Sequence, residues 1–520
     1  MDARSEVPLI ARNCSQIQKK QPQQRHRMSF LAQQLPFDSY KVGQVTPIDM
    51  LPDDVLLAIF DFYVDRSPEE RSKRQIEAWQ SLVHVCRLWR NLVFGSPRRL
   101  NLRLLCTPRT RVRKTLDVWP ALPLCIRSHG CLSTNDANDF LATFGHNDRI
   151  RQLSVGHLKY WQLRELWAAM EAPFPELTDL SIIAIDSEVC TPVVPDSFLG
   201  GSAPRLRRLS LECISFPGLP KLLLSATHLV TLHLKFVPDP GYIPPEAMAA
   251  GLSGLASLRS LVVQFKSPQF HPGPESRHLS PPTRSVLPAL TDFEFKGVAE
   301  YLEVVVAHID APRLNNTKIS FFKESHFEIP QLVQLISRTP TMEGSEIAHL
   351  YFFASAFQIQ LRSRRHGSGV FAVEVFYTLM PFRNYDRQVL ALAQVCASYM
   401  PLLSTVEELY LDDPVLAPAR WDDEIENTPW LELLRPFTAV ENLYLCEVFE
   451  PRIASALQEL VGGRMMEVLP TLRNLFLWDF QPSGPVHEGI GQFVAARQFI
   501  SHSIVVSRWD RDLYSLVIQS

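Results

Sequence analysis

LTDLSI (177–182), LRRLSL (206–211), LVTLHL (229–234), LRSLVV (258–263) and LTDFEF (290–295) carry one pattern, L-x-x-L-x-L, at short and fairly even intervals. It returns as VEELYL (406–411), VENLYL (440–445) and LRNLFL (472–477). Degenerate copies stand at IRQLSV (150–155), LNNTKI (314–319), IAHLYF (347–352) and VFAVEV (370–375). Twelve copies, 23 to 36 residues apart, are the mark of stacked repeats that bury a shared core. Strand side chains alternate, so the fourth and sixth positions face the core and the fifth points away. Between the copies, stretches such as PPEAMAAGLSGLAS (244–257) and VLALAQVCASYM (389–400) read as helical or irregular cover for the other side. The expected architecture is an α/β solenoid over residues 98–485. It has a curved parallel sheet with one strand per repeat, about twelve repeats, and helices on the convex side. A terminal cap over 486–520 would close it.

Composition narrows the function. The chain has 520 residues, 46% hydrophobic and 21% charged, enough to bury a large core. Lys plus Arg is 52 and Asp plus Glu is 55, a net charge of −3. Generic nucleic-acid binding needs a basic field, so no nucleic-acid partner is expected. The 40 prolines and 21 glycines suit many stiff connections and not a glycine-rich phosphate loop. Nine scattered cysteines contain no CxxC pair, which favours reduced thiols in the cytoplasm or nucleus. No apolar run reaches the roughly 18 residues of a spanning helix, so no membrane partner is expected.

Residues 1–45 are polar and read as a disordered tail, with a basic cluster from Lys19 to Arg27. Residues 46–94 form a helical unit. Pro52 suits a first helical position, and Asp53 and Asp54 complement the helix dipole in the first turn. Val55, Ile59 and Tyr63 make one i, i+4 row and Leu56, Phe60 and Val64 the next. That face is broad enough to meet both a core and a partner. Trp79, Leu82, Val83, Cys86, Trp89 and Val93 continue the helical period. About 50 residues make a marginal core, so such a unit leans on something else.

Two resemblances follow. The repeated motif is similar to the leucine-rich repeat, in a long form without the Asn that usually follows the third leucine. Residues 48–94 resemble an F-box. Leu51-Pro52-Asp53-Asp54 matches its opening, and Val55, Leu56, Ile59 and Phe60 match its apolar pattern. Val85, Cys86, Arg87, Trp89 and Arg90 match its closing signature. A charged insert, Arg66 to Glu77, is longer than usual. The whole chain resembles the diverged fungal F-box/leucine-rich-repeat proteins. The resemblance implies three F-box helices docking on the Skp adaptor, and through it on cullin, in a ubiquitin ligase. An unknown protein substrate would be held by the solenoid. Leu51, Pro52, Val55, Leu56, Ile59, Phe60, Val85, Cys86 and Leu92 would then contact the adaptor, and Trp89 would lock the helices. The alternative is a scaffold on the Skp adaptor that acts outside ubiquitination.

No catalytic pattern competes. The chain lacks a Walker A loop, HExxH and GxSxG. GSGVFA (367–372) runs into a strand, the reverse of a dinucleotide site. The acids Asp422, Asp423, Glu424 and Glu426 lack EF-hand alternation. A non-catalytic protein without cofactor or metal is expected. Its fifth-position column reads Ser181, Ser210, His233, Val262, Glu294, Lys318, Tyr351, Glu374, Tyr410, Tyr444 and Phe476. Two residues further on, the last repeats carry Asp412, Cys446 and Trp478. Exposed aromatics are typical binding hot spots, so Tyr351, Tyr410, Tyr444, Phe476 and Trp478 are the candidate substrate contacts. The same rings would otherwise stack on one another, or lie under the folded-back C-terminal segment.

Overall fold

The computed structural model describes residues 47–64, 78–107, 116, 119–128, 142–185, 192–268, 284–322, 329–340, 344–353, 356–364, 370–376, 385–398, 400–414, 427–478 and 484–509. The expected tail, the charged insert, most of the proline-rich stretch 266–288 and the acids at 422–426 lie outside them. The chain divides into two compact units, residues 1–59 and 60–520. A short turn at Pro47–Met50 leads into helix Asp53–Val64, which begins in the first unit and whose opening turn carries Asp53 and Asp54. Pro52 lends its carbonyl to the N–H groups of Val55 and Leu56, both at 3.0 Å. Leu56 and Leu57 are buried.

The second unit is a mixed α/β array. Its strands are β1 (Leu104–Cys106), β2 (Leu124–Ser128), β3 (Ile150–Leu158), β4 (Asp179–Ala184), β5 (Arg208–Glu212) and β6 (Thr231–Val237). Next come β7 (Ser260–Phe265), β8 (Ser285–Val286), β9 (Asp292–Gly297), β10 (Ile309–Asp310), β11 (Asn316–Phe322) and β12 (Ile347–Phe352). The last are β13 (Ala356–Arg362), β14 (Val370–Phe376), β15 (Glu408–Asp412), β16 (Asn442–Leu445), β17 (Asn474–Leu477) and β18 (Val505–Arg508). Sixteen of them form one mostly parallel sheet, in keeping with a leucine-rich-repeat-like solenoid; β8 and β10 pair separately.

The repeated leucines build this sheet in register. Leu180, Leu209, Leu232, Leu261 and Phe293 stand opposite one another on adjacent strands, as do Leu409, Leu443 and Leu475. All are buried. The first leucine of the motif closes a turn. Phe174-Pro175-Glu176-Leu177, Ala203-Pro204-Arg205-Leu206, Leu287-Pro288-Ala289-Leu290, Ala311-Pro312-Arg313-Leu314 and Leu469-Pro470-Thr471-Leu472 each return the fourth N–H to the first carbonyl at 3.1–3.2 Å. Proline at the second position presets φ for such a turn. Five of the 40 prolines therefore sit where the chain turns into a strand.

Helices Leu219–Leu223, Pro245–Leu252, Ala299–Ala307 and Pro330–Ser337 pack one against the next in chain order. Helices Tyr385–Ser398, Thr428–Leu434, Glu450–Glu459 and Pro485–Phe499 do the same. Side chains tie the rows together. The Glu303 carboxylate accepts the N–H groups of Gln331 and Leu332 at 2.8 and 2.9 Å, capping the next helix. Fully buried Arg497 donates to the carbonyls of Val468, Leu469 and Pro470 at 2.9–3.2 Å, fastening the last helix to the repeat before it.

Three expectations need correction. The sheet is not wholly parallel: β13 runs antiparallel to both β12 and β14. Only three residues separate β12 from β13, and a parallel crossover needs a dozen or more. Strand order therefore becomes β11-β14-β13-β12-β15, a hairpin meander let into the array. Second, the sheet is longer than twelve strands. The strands β1, β2, β13 and β18 were not legible as L-x-x-L-x-L. Third, the C-terminal segment continues the array with a helix and a strand, β18 lying parallel to β17.

Removing a stacked leucine tests this core. Leu209→Ala and Leu475→Ala should each lower unfolding free energy by about 2–5 kcal/mol in chemical denaturation. The same change at half-exposed Ser210 should cost less than about 0.5 kcal/mol.

Candidate functional site

Helix Asp53–Val64 carries more apolar surface than it hides. Val55, Ile59 and Phe62, spaced i, i+4, i+7 along one side, are 40, 48 and 79% exposed. Pro52 is exposed and Leu51 half-buried. Of the expected adaptor contacts, Leu56 and Phe60 do not qualify, because both are fully buried. Phe60 lies 4.7 Å from Trp89, ring centre to ring centre, so its role is packing.

In the second unit, helices Ala78–Val83 and Arg87–Gly95 hold Val85 and Leu88 exposed and Leu92 half-buried. Cys86 is exposed, and its sulfur accepts the Trp89 N–H at 3.5 Å as the cap of the second helix. These helices lean on the start of the sheet. The Trp79 indole donates to the Arg103 carbonyl at 3.0 Å and meets Trp119 edge-on at 5.2 Å. Helices 78–95 belong to the same compact unit as the sheet.

The aromatic column exists, but its register and exposure differ from the expectation. Its members are His349, Tyr410, Tyr444 and Phe476, paired directly across β12, β15, β16 and β17. Ring centres stand 4.1–4.4 Å apart with planes within 14°. Tyr351 is two residues out of the expected place; it pairs with Asp412 and stacks on His349. Glu374 is displaced by the same two residues, opposite Ser320. A shift of two keeps strand alternation intact, so the degenerate copies allowed either frame.

Trp509 closes this stack. Its backbone N–H donates to Leu477 at 2.8 Å, and its ring lies 5.6–5.9 Å from Tyr410, Tyr444 and Trp478. Tyr410 and Tyr444 are only 6 and 5% exposed, so neither offers a hot spot to a partner. Phe476, Trp478 and Tyr351 remain half-exposed at the margin. Sequence reasoning missed His349 and Trp509. A two-residue reframing of IAHLYF would have found the first, whereas only the fold brings the second over the stack. Burial, helped by the Arg362 guanidinium, pushes the His349 pKa down to about 4. Burial also raises the Tyr410 hydroxyl well above its usual range, with Glu408 and Tyr444 adding to it.

The opposite half of the sheet carries polar pairs. Gln264 donates to Glu294 at 2.8 Å, Asn316 to Asp292 at 2.8 Å, and His233 meets Ser260 at 3.0 Å. At the starts of β4–β6 lies an open cavity of about 590 Å³ lined by Arg151, Arg205, Arg207, Arg208, His228 and Asp179. The described residues hold no cluster of three His, Cys, Asp or Glu side chains suited to a metal ion. Among them, no helix is long and apolar enough to cross a membrane.

No family model matches the chain. No curated protein matches it either. Among solved structures, it is similar to the leucine-rich repeat-containing protein LegL7 from Legionella pneumophila. That match has 10% identity and a TM-score of 0.24 over 75% of this chain and 97% of that one. A likeness this loose carries no argument about function.

The stack gives a pH test. The His349 pKa falls from about 6.5 unfolded to about 4 folded, so the unfolded chain takes up the proton first. Its stabilising effect is full above pH 6.5 and is lost as pH drops towards 4, at up to about 1.4 kcal/mol per pH unit. His349→Phe keeps the stacked ring without the titration. Denaturation between pH 7 and pH 4.5 should show the unsubstituted chain losing about 2–3 kcal/mol more than this variant.

Proposed function

We propose that the chain is a non-catalytic receptor that docks on the Skp adaptor of a cullin-RING ubiquitin ligase through residues 48–94, an F-box, and presents a protein target on its sheet. The observation that carries this reading is the row of exposed apolar side chains, Val55, Ile59 and Phe62, on helix Asp53–Val64. Three large apolar side chains in a row on a helix, open to water, mark a contact surface. Leu51-Pro52-Asp53-Asp54 at the head of that helix matches the opening of an F-box, and exposed Val85 with Leu88 lies within the closing signature.

Burial narrows the set of contacts. Leu51, Pro52, Val55, Ile59, Val85 and Leu92 are the adaptor-facing residues in this reading, with Phe62 added to them. Leu56 and Phe60 support the helix from behind, and Cys86 caps the next one. On the target side, Tyr410 and Tyr444 are withdrawn by Trp509. A target therefore meets the open polar half of the sheet and the marginal rings of Tyr351, Phe476 and Trp478.

Capture experiments test both levels. Leu51→Ala with Pro52→Ala, and separately Ile59→Asp, should abolish capture of the Skp adaptor while the thermal melt of the array stays in place. Undiminished capture by both variants would remove the F-box assignment. Cullin should co-purify with the unsubstituted chain; adaptor capture without cullin would point to the scaffold role outside ubiquitination.

A further inference from the structure

The starts of the strands form a line across the sheet. At eight of them one residue offers its carbonyl to two N–H groups of the next strand. Arg207 O accepts Val230 N–H at 2.7 Å and Thr231 N–H at 3.0 Å, and Arg259 O accepts Thr291 N–H at 2.9 Å and Asp292 N–H at 3.0 Å. From β3 to β9 the residues on this line are Arg151, Thr178, Arg207, Val230, Arg259 and Thr291. Arginine stands at every second strand. Adjacent strands are about 4.8 Å apart, so the arginines recur at about 9.6 Å.

Arg205 is paired with Glu176, and Arg208 with Asp179. Among the described residues, Arg207 and Arg259 make no side-chain hydrogen bond or ion pair, and Arg151 reaches only the Asn101 amide oxygen at 3.2 Å. Arg207 and Arg259 are exposed. Arg151 and Arg207 border the 590 Å³ cavity, whose lining includes a single carboxylate, Asp179, already bound to Arg208. On the far side of the meander the corresponding positions are Glu346, Glu407 and Glu441, followed by Arg473, which is paired with Glu441. A long polyanion following the line would run into those acids, so the anion recognised here is short.

We infer that the arginine comb Arg151–Arg207–Arg259 binds an extended acidic peptide whose carboxylates recur every third residue. A left-handed extended chain of the polyproline II type rises about 3.1 Å per residue with three residues per turn. Every third side chain then lies on one side at about 9.3 Å, close to the spacing of the comb. A β-strand offers same-side residues at about 6.6–6.8 Å and falls out of step by the second arginine. Guanidinium forks suit carboxylates bidentately, and the cavity gives room for the residues between them. The inference deepens the receptor reading by naming the class of target segment, but the binding itself does not require the adaptor.

The test uses the full chain and a labelled peptide, Glu-Pro-Pro-Glu-Pro-Pro-Glu, read by fluorescence anisotropy. The control holds the same residues as Glu-Glu-Glu-Pro-Pro-Pro-Pro. The spaced peptide should bind at least tenfold more tightly than the clustered one. Arg207→Glu, a surface change that leaves the melting temperature in place, should weaken it at least tenfold. A peptide with Lys for the central Glu should regain binding to that variant. Equal affinity for both peptide orders, or binding unchanged by Arg207→Glu, overturns the proposal. So does a single-stranded oligonucleotide or a phosphoserine peptide that binds while the carboxylate peptide does not. Skp-adaptor capture by Arg207→Glu reports on the other proposal separately: it should persist whichever way the peptide result falls.

Discussion

At eight places along the sheet one backbone carbonyl at the start of a strand holds two N–H groups of the next, and the rest of the array depends on that lock. Thr178, Arg207, Val230, Arg259 and Thr291 do this in the first half, and Glu346, Glu407 and Glu441 in the second. The doubled bond fixes register, because a slip of one residue would turn every leucine of a strand away from the core. Proline turns just upstream deliver the chain to the same point in repeat after repeat. With register fixed, the apolar columns align and each repeat is buried by its neighbours. Hydrophobic burial supplies the driving force, while the carbonyl line decides which residues it acts on.

The same lock organises the outer face. Side chains beside the shared carbonyls fall on one line, and those two residues into each strand fall on a second. The first line carries arginine at every second strand before the meander, and three glutamates followed by Arg473 after it. The second is polar before the meander and aromatic after it. The two halves of the sheet are therefore chemically different although the backbone plan is the same. In the aromatic half, His349, Tyr410, Tyr444 and Phe476 stack on one another and Trp509 lies against them, so rings that would otherwise be contact surface become internal packing. Exposed side chains are concentrated instead in the half where Arg207 and Arg259 stand open.

The helical residues 78–95 depend on the array as well. Trp79, Phe94 and Trp119 form one edge-to-face cluster, giving these short helices a core they are too small to make alone. Val85 and Leu88 on their outer side stay exposed.

Repeat type, strand positions and the two buried leucine columns were legible in the sequence, because L-x-x-L-x-L with upstream proline is a local signal with a local cause. The oversized apolar face at 51–64 was legible for the same reason: helical spacing shows which residues share a side. Which of them are buried was not, since Phe60 and Ile59 look alike until Trp89 is placed. The meander also escaped. AFQIQLR alternates without the leucine motif, and its antiparallel course follows only from the three-residue link to β12. The two-residue offset of Tyr351 and Glu374 is invisible to an alternating pattern and is set by pairing. Closure of the aromatic column by Trp509 joins residues about 100 positions apart. Such a contact carries no sequence period and exists only once the sheet has been assembled.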